Sequence, residues 1–193
     1  MAAGLITLAI ESRRLYADLQ HRSEFDLLTE LHNRFSLEKR LGQMIEHANA
    51  EEATFGLVYI DLDGFKLIND HYGHQIGDRY LQQAAHRMEH MLRPNDLMAR
   101  LGGDEFAVLI HDATRHEEVY NVVARLESCF SNPFTIDGNQ ILGAASFGVA
   151  LFPADGSTQD NLLNSADAAM YVAKQERRAR QRENACADVR LGR

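Results

Sequence analysis

Cysteine is nearly absent. The two in 193 residues, Cys129 and Cys186, lie far apart and lack the spacing of a metal site or a disulfide framework. That makes a reducing cytoplasm the default location. A long apolar run is missing too. The opening MAAGLITLAI is apolar, but a bilayer takes ~20 such residues, and no basic stretch precedes it as in a secretory signal. It reads as the cut end of a longer protein. Positive charge is also scarce: 20 Lys and Arg against 28 Asp and Glu leave a net −8. This argues against a general nucleic-acid or anionic-membrane binder, though local cations or metal ions could still hold a polyanionic ligand. No internal repeat is visible. What remains, 45% hydrophobic and 25% charged residues, suits one soluble domain with a substantial core plus an appendage.

Along the chain, Leu5, Leu8, Leu15 and Leu19 form a short heptad-like stripe on an otherwise polar helix. Two readings stay open: an amphipathic helix packed on its own domain, or a dimerising stalk from an upstream sensor. A second helix carries Leu37, Leu41, Met44, Ile45 and Ala48 on one face. TFGLVYIDLD then reads as a buried strand ending in acids. FKLINDHYGHQIGD reads as a loop or short helix, followed by a helix with Leu81, Ala84, Ala85, Met88 and Leu92 along one side, ended by Pro94. Gly102-Gly103 between apolar runs predicts a tight hairpin. A helix through Val119, Val122, Val123, Leu126 and Phe130 is broken at Asn132-Pro133. Asp137-Gly138 predicts a second hairpin. The last helix, with Leu162, Leu163, Ala166, Met170 and Ala173, is expected to begin near Ser157 with Asp160 in a capping pattern. From Lys174 onward the apolar stripe is lost and fraying is expected. The order of elements implies an α+β fold, a largely antiparallel sheet covered by helices.

The acids carry the chemistry. Asp61 and Asp63 end a buried strand; Asp104 and Glu105 sit at a hairpin tip. If the two strands are neighbours, three or four carboxylates crowd together, and each like-charged pair at about 4 Å costs ~4 kcal/mol at a surface-like dielectric. Raised pKa values, basic partners or divalent cations must offset that; Mg²⁺, which takes few carboxylates and usually a phosphate, suits such a place. The bland alternative is four solvated acids that never meet. DLDGFKLINDHY is not an EF-hand: Phe65 replaces the fifth-position ligand, Lys66 the glycine and Tyr72 the final glutamate. HRMEH matches a zinc pattern, but on a helical wheel His86 and His90 fall opposite the apolar stripe and face solvent. Lys174 and Arg178 share a helix face, and with Lys66 could neutralise phosphate oxygens.

The motif GGDEF, Gly102–Phe106, with DLLTELHNR, DLDGFKLINDHYGHQIGD, RPNDLMARLGGDEF, ASFGVA and ADAAMYVAK in the same order, resembles the GGDEF domains, which are diguanylate cyclases or their inactive relatives. The likeness covers about residues 25–178. It implies a fold similar to the nucleotidyl-cyclase and palm-type polymerase core, a central, mainly antiparallel sheet wrapped by helices. It implies a reaction in which two GTP condense to cyclic di-GMP with release of two pyrophosphates, across a homodimer that holds one GTP per subunit. By the same resemblance Asp61, Asp104 and the Leu62 carbonyl are ligands of two Mg²⁺ or Mn²⁺ ions per active site, and Asp104, Glu105 and Lys66 are catalytic. Asn69 and Asp78 read guanine, and His74 lines that pocket. Gly102 and Gly103 let the backbone pass close to the triphosphate, and Lys66, Lys174 and Arg178 clamp phosphates. Arg93 and Asp96, with five residues between Asp96 and Gly102, match the family's R-x-x-D inhibitory site for cyclic di-GMP; the plain alternative is an Arg at a helix end beside a solvated Asp.

Two positions depart from the pattern: Glu30 and Arg177 stand where the family blocks have glycine, and the second puts the role of Arg178 in doubt. The expected organisation is a linker or stalk helix over 1–24, a GGDEF domain over 25–180 and a disordered tail over 181–193. The expected setting is cytoplasmic, as a free protein or as the cytoplasmic part of a larger one, membrane-bound or not, with an upstream sensor domain and no nucleic-acid partner. The alternative function is a catalytically weak GGDEF module that binds GTP or cyclic di-GMP and regulates.

Overall fold

The computed structural model describes residues 23–190, with side chains as far as 179; the stripe of leucines in the first helix lies outside the described residues. The elements are β1 (His32–Asn33), α1 (Arg34–Glu51), β2 (Phe55–Leu62), α2 (Phe65–Tyr72), α3 (His74–Glu89), β3 (Leu97–Gly102), β4 (Glu105–Ile110), α4 (His116–Ser128), β5 (Phe134–Ile136), β6 (Asn139–Ile141), β7 (Ala145–Phe152) and α5 (Gln159–Arg190). Five strands form one sheet in the order β1-β3-β4-β2-β7. Only the β1–β3 pair is parallel; the other three pairs are antiparallel. The α+β architecture predicted from the sequence is therefore the one observed.

β2 lies between β4 and β7 and is buried at every position. Because side chains alternate across a sheet, it serves two cores. Val58, Ile60 and Leu62 pack on the face covered by Leu81, Ala84, Ala85 and Met88 of α3 and Val119, Val122 and Leu126 of α4. Leu57 and Tyr59 pack on the other face, against Leu37 and Leu41 of α1 and Leu162, Ala166 and Met170 of α5. Asp61 continues that second series, so it is delivered to the α1/α5 face as a consequence of strand period.

α5 can lie close enough to reach it because β7 offers no side chain at Gly148, which pairs with Tyr59. A Cβ there would stand 2.0 Å from the Ala166 carbonyl oxygen and 2.2 Å from the Met170 nitrogen. Only glycine permits this backbone approach.

Local details refine the sequence reading. The segment after β2 is two helices, α2 and α3, with α3 starting at His74. The first hairpin turns at Gly103-Asp104, since Gly102 already pairs with Glu105. Asp137 and Gly138 both have positive φ, 49° and 82°, as a type I′ turn requires. The β5–β6 hairpin they close is a separate small sheet, while β7 returns to the main one. α5 is capped by Thr158, whose Oγ1 accepts from the Asn161 N–H at 3.3 Å, one residue later than expected. Its backbone stays helical to Arg190, past the point where loss of the apolar stripe predicted fraying. No helix among the described residues is long and apolar enough to cross a membrane.

Candidate active site

Asp61 and Glu105 face each other directly across β2 and β4, so their side chains share one side of the sheet. Asp104 follows at the turn, where its carbonyl accepts from the Leu62 N–H at 3.1 Å. The two acidic segments singled out in the sequence therefore do converge.

Their charges are handled one by one. Asp61, 8% exposed, accepts from Lys174 Nζ at 2.5 Å through Oδ1. Asp63 accepts from Ser146 Oγ at 3.0 Å on both oxygens and lies 3.6 Å from Arg177. Glu105 Oε2 accepts from the Tyr59 hydroxyl at 3.1 Å and lies 3.8 Å from an Arg34 nitrogen. Asp104 alone has no cation or hydroxyl in contact among the described residues. Burial, and then the Asp61 charge, push its carboxyl pKa up, while Lys174 and Arg100 pull the other way. The Tyr59 phenol is pushed up to about 12, first by burial and then by the Glu105 charge. The turn itself is tied down by Arg100, which donates to the Gly103 carbonyl at 2.8 and 3.0 Å and to Asp26 Oδ1 at 2.9 Å.

Among the described residues no three His, Cys, Asp or Glu side chains group into a metal-binding set. The expected donors are fewer and harder: the Asp61 and Asp104 carboxylates and the Leu62 carbonyl. They fit an ion that takes one or two carboxylates and completes its shell with phosphate and water. Burial first and the Asp61 charge second raise the Asp104 pKa, and a cation bound at this carboxylate would offset both.

The other expected site residues fall into three groups. Lys66 on α2 is exposed and makes no ion pair among the described residues. Asn69, His74 and Asp78 lie along α2 and the start of α3, with Asp78 one turn beyond His74. Asn69 Oδ1 is buried without a hydrogen-bond partner, in the space a Cβ on Gly77 would fill, 1.9 Å away. A buried, unpaired amide oxygen is costly, and this one can still accept from a ligand or turn its amide over. Gly102 and Gly103 have φ of 140° and 54°, and nothing lies within 4 Å of a Cβ on either. The protein's own need for glycine here is conformational, and the room beside them stays open.

Arg178 is not brought onto the acids. It is exposed, while its neighbour Arg177 makes the contacts, to Asp63 and, at 3.7 Å, to Glu127. Arg93 and Asp96 form a closed turn: the Arg93 N–H donates to Asp96 Oδ2 at 3.1 Å, and the Asp96 N–H to the Arg93 carbonyl at 3.0 Å. Both line a cleft of about 830 Å³ against α1, together with His32, Arg40 and His47. His86 and His90 are exposed with ring centroids 4.1 Å apart, as the helical wheel predicted.

The diguanylate cyclase GGDEF domain model matches residues 23–180. The chain belongs to this GGDEF family. It is 40% identical over 178 residues, 92% of its length, to the bifunctional diguanylate cyclase/cyclic di-GMP phosphodiesterase MucR of Pseudomonas aeruginosa. Among solved structures it resembles the GGDEF domain of TpbB (YfiN) from Pseudomonas aeruginosa, with a TM-score of 0.76 and 38% identity over 79% of this chain and 89% of that one. It also resembles the coiled coil and GGDEF domain of DgcB from Caulobacter crescentus in complex with c-di-GMP, with a TM-score of 0.78 and 26% identity over 91% and 94%. The chain spans 26% of the length of MucR and 40% of TpbB.

Sequence reasoning missed two residues of this GGDEF domain's acidic site, Tyr59 and Arg34. Tyr59 sits inside an apolar run and reads as core filling; the signal was its position two residues before Asp61, which puts it on the same side of the strand.

Proposed function

We propose that this chain is the catalytic module of a diguanylate cyclase that condenses two GTP into cyclic di-GMP and two pyrophosphates, one GTP being held by each subunit of a homodimer. The observation that carries the reading is the convergence of Asp61, Asp104 and Glu105 at the open end of β2 and β4 with Lys174 already resting on Asp61.

Asp61, Asp104 and the Leu62 carbonyl would hold Mg²⁺ or Mn²⁺, two ions per site, which when bound polarise the α-phosphate and lower the pKa of the attacking ribose 3′-hydroxyl. Lys174 is mobile charge with a long stem and can move from Asp61 to a phosphate oxygen; exposed Lys66 adds a second cation from α2. Asp104, or hydroxide held near it, is the candidate base for the 3′-hydroxyl. Glu105 assists metal binding or hydroxyl activation. Asn69 and Asp78, with His74 beside them, read the guanine edge: the carboxylate accepts from N1–H and the exocyclic amine, and the Asn69 amide donates to O6. Adenine leaves those groups unpaired. The Arg93–Asp96 turn binds the product and inhibits, with the Arg93 guanidinium suited to a bidentate or stacked contact.

Incubation of the purified protein with GTP and Mg²⁺ yields cyclic di-GMP, with a specific rate that rises with protein concentration as dimers form. An Asp104→Ala variant that keeps its fold yields none. Wild-type protein that leaves GTP unconverted at every concentration overturns the reading and favours the regulatory binding module.

A further inference from the structure

We infer that Tyr59 is a positioning residue for Glu105: its hydroxyl, flanked by Arg34, fixes one carboxylate oxygen and leaves the other for the reacting end of the site. The inference rests on the cyclase reading above. Both contacts converge on the same atom, with the Tyr59 hydroxyl donating at 3.1 Å and an Arg34 nitrogen at 3.8 Å from Glu105 Oε2. Neither uses Oε1. Arg34 is itself held, its Nε donating to the Leu101 carbonyl at 3.3 Å, so the guanidinium is anchored to the strand that leads into the turn.

The geometry follows from strand register. Tyr59 pairs with Ala107 and Asp61 with Glu105, so Tyr59 and Glu105 are diagonal neighbours on one side of the sheet, within reach of a long side chain. Ala107 is the small partner that leaves the ring room. Packing does not explain the hydroxyl. Tyr59 is 7% exposed among Leu37, Leu57 and Leu109, where Phe would fill the same space, and a buried phenol needs a partner to offset its desolvation. Here that partner is a carboxylate at the site. Glu105 keeps 38% of its side chain exposed, so without these contacts it would sample several rotamers in water. A carboxylate held in one geometry acts more effectively than one that must be ordered during the reaction.

The test is a double-mutant cycle on turnover, with Tyr59→Phe, Glu105→Gln and both together. We expect Tyr59→Phe to lower kcat about tenfold while KM for GTP stays within about twofold and the urea midpoint moves little. We expect the same change to cost nothing further in the Glu105→Gln background. Arg34→Lys, which keeps the charge but loses the fork, should give a smaller loss of the same kind. Full kcat in Tyr59→Phe, or an equal loss in both backgrounds, overturns the positioning role and leaves the cyclase reading standing. No product from the wild type overturns the cyclase reading and the inference together.

Discussion

The two ends of β3 make opposite use of charge. Where the strand ends, at the Gly102–Glu105 turn, each acid but one has a partner, and the backbone is tied to Leu62 and to Arg100, which Asp26 holds in turn. Where it begins, at Arg93–Asp96, both residues line an open cleft and the turn is closed by a backbone bond and by the Asp96 carboxylate. The ends are ~20 Å apart by strand geometry. On the proposed reading, strand rigidity would let one element present a preorganised reacting site at one end and an adaptable binding cleft at the other. The first needs atoms fixed before substrate arrives; the second needs free cations and room.

If the turn end depends on α5 lying tight on β7, the largest effect on stability comes from Gly148→Ala. Its Cβ would strike the backbone of Ala166 and Met170, so the helix must back away. The expected cost is about 3 kcal/mol in urea unfolding. Turnover should fall at least about 100-fold, because Lys174 leaves Asp61. Cyclic di-GMP binding at the Arg93 end should survive in the folded protein, measured by calorimetry. Loss of both together would mean that the ends are not independent.

Asp104→Asn comes next. The pKa of Asp104 is raised in the folded protein, by burial and by Asp61. A carboxyl of that kind holds its proton more tightly folded than unfolded. Stability is therefore lost as pH rises from the unfolded value, near 3.8, through the folded one. Asn should remove that segment of the pH–stability curve, so at neutral pH the variant unfolds at the same or higher urea concentration than the wild type. Synthesis should drop about 10³-fold. A variant that is less stable at neutral pH would show that Asp104 is compensated by contacts of its own.

The turn end was more legible in the sequence than the cleft. GGDEF and the strand-end acids stand in short, contiguous segments, and the period-2 rule puts Tyr59, Asp61 and Glu105 on one side once β2 and β4 are neighbours. The four major helices were equally plain, because Leu37/Leu41, Leu81/Met88, Val119/Leu126 and Leu162/Ala166 follow helical spacing. What stayed hidden depends on contacts between distant segments. His32, Arg40 and His47 meet Arg93 only after α1 is laid beside the sheet edge. Arg177 pairs with Asp63 and Glu127 while Arg178, expected to clamp phosphate, is exposed, a difference set by helix rotation that spacing alone does not fix. Tyr59 was hidden by its composition, since an aromatic in an apolar run carries no mark of its hydroxyl's use.

At the cleft end, Arg93→Ala should raise the inhibition constant for cyclic di-GMP about 30-fold and leave initial rates unchanged, in assays with added product. Removing one charged partner from a nucleotide costs roughly 2 kcal/mol when it makes charge-assisted bonds. Unchanged inhibition would assign the turn to structure alone. An altered initial rate without product would couple the cleft to the turn through β3.

The smallest effect belongs to Glu30, which lines the same cleft and has φ of 59°. An L-residue in that region is disfavoured by roughly 1–2 kcal/mol, and glycine gives back part of the relief through its greater freedom in the unfolded chain. Glu30→Gly should therefore stabilise by about 0.5 kcal/mol, a small rise in urea midpoint. Glu30 has its N–H on the Asp26 carbonyl at 2.8 Å, and Asp26 in turn holds Arg100 of β3, so the strained residue sits on the segment that links the two ends. If it is strained only for the sake of its side chain in the cleft, turnover stays the same and inhibition by cyclic di-GMP shifts. If turnover changes while inhibition does not, the strain is transmitted through Asp26 to the reacting turn, and the comparison between the ends must be redrawn with Glu30 on the catalytic side.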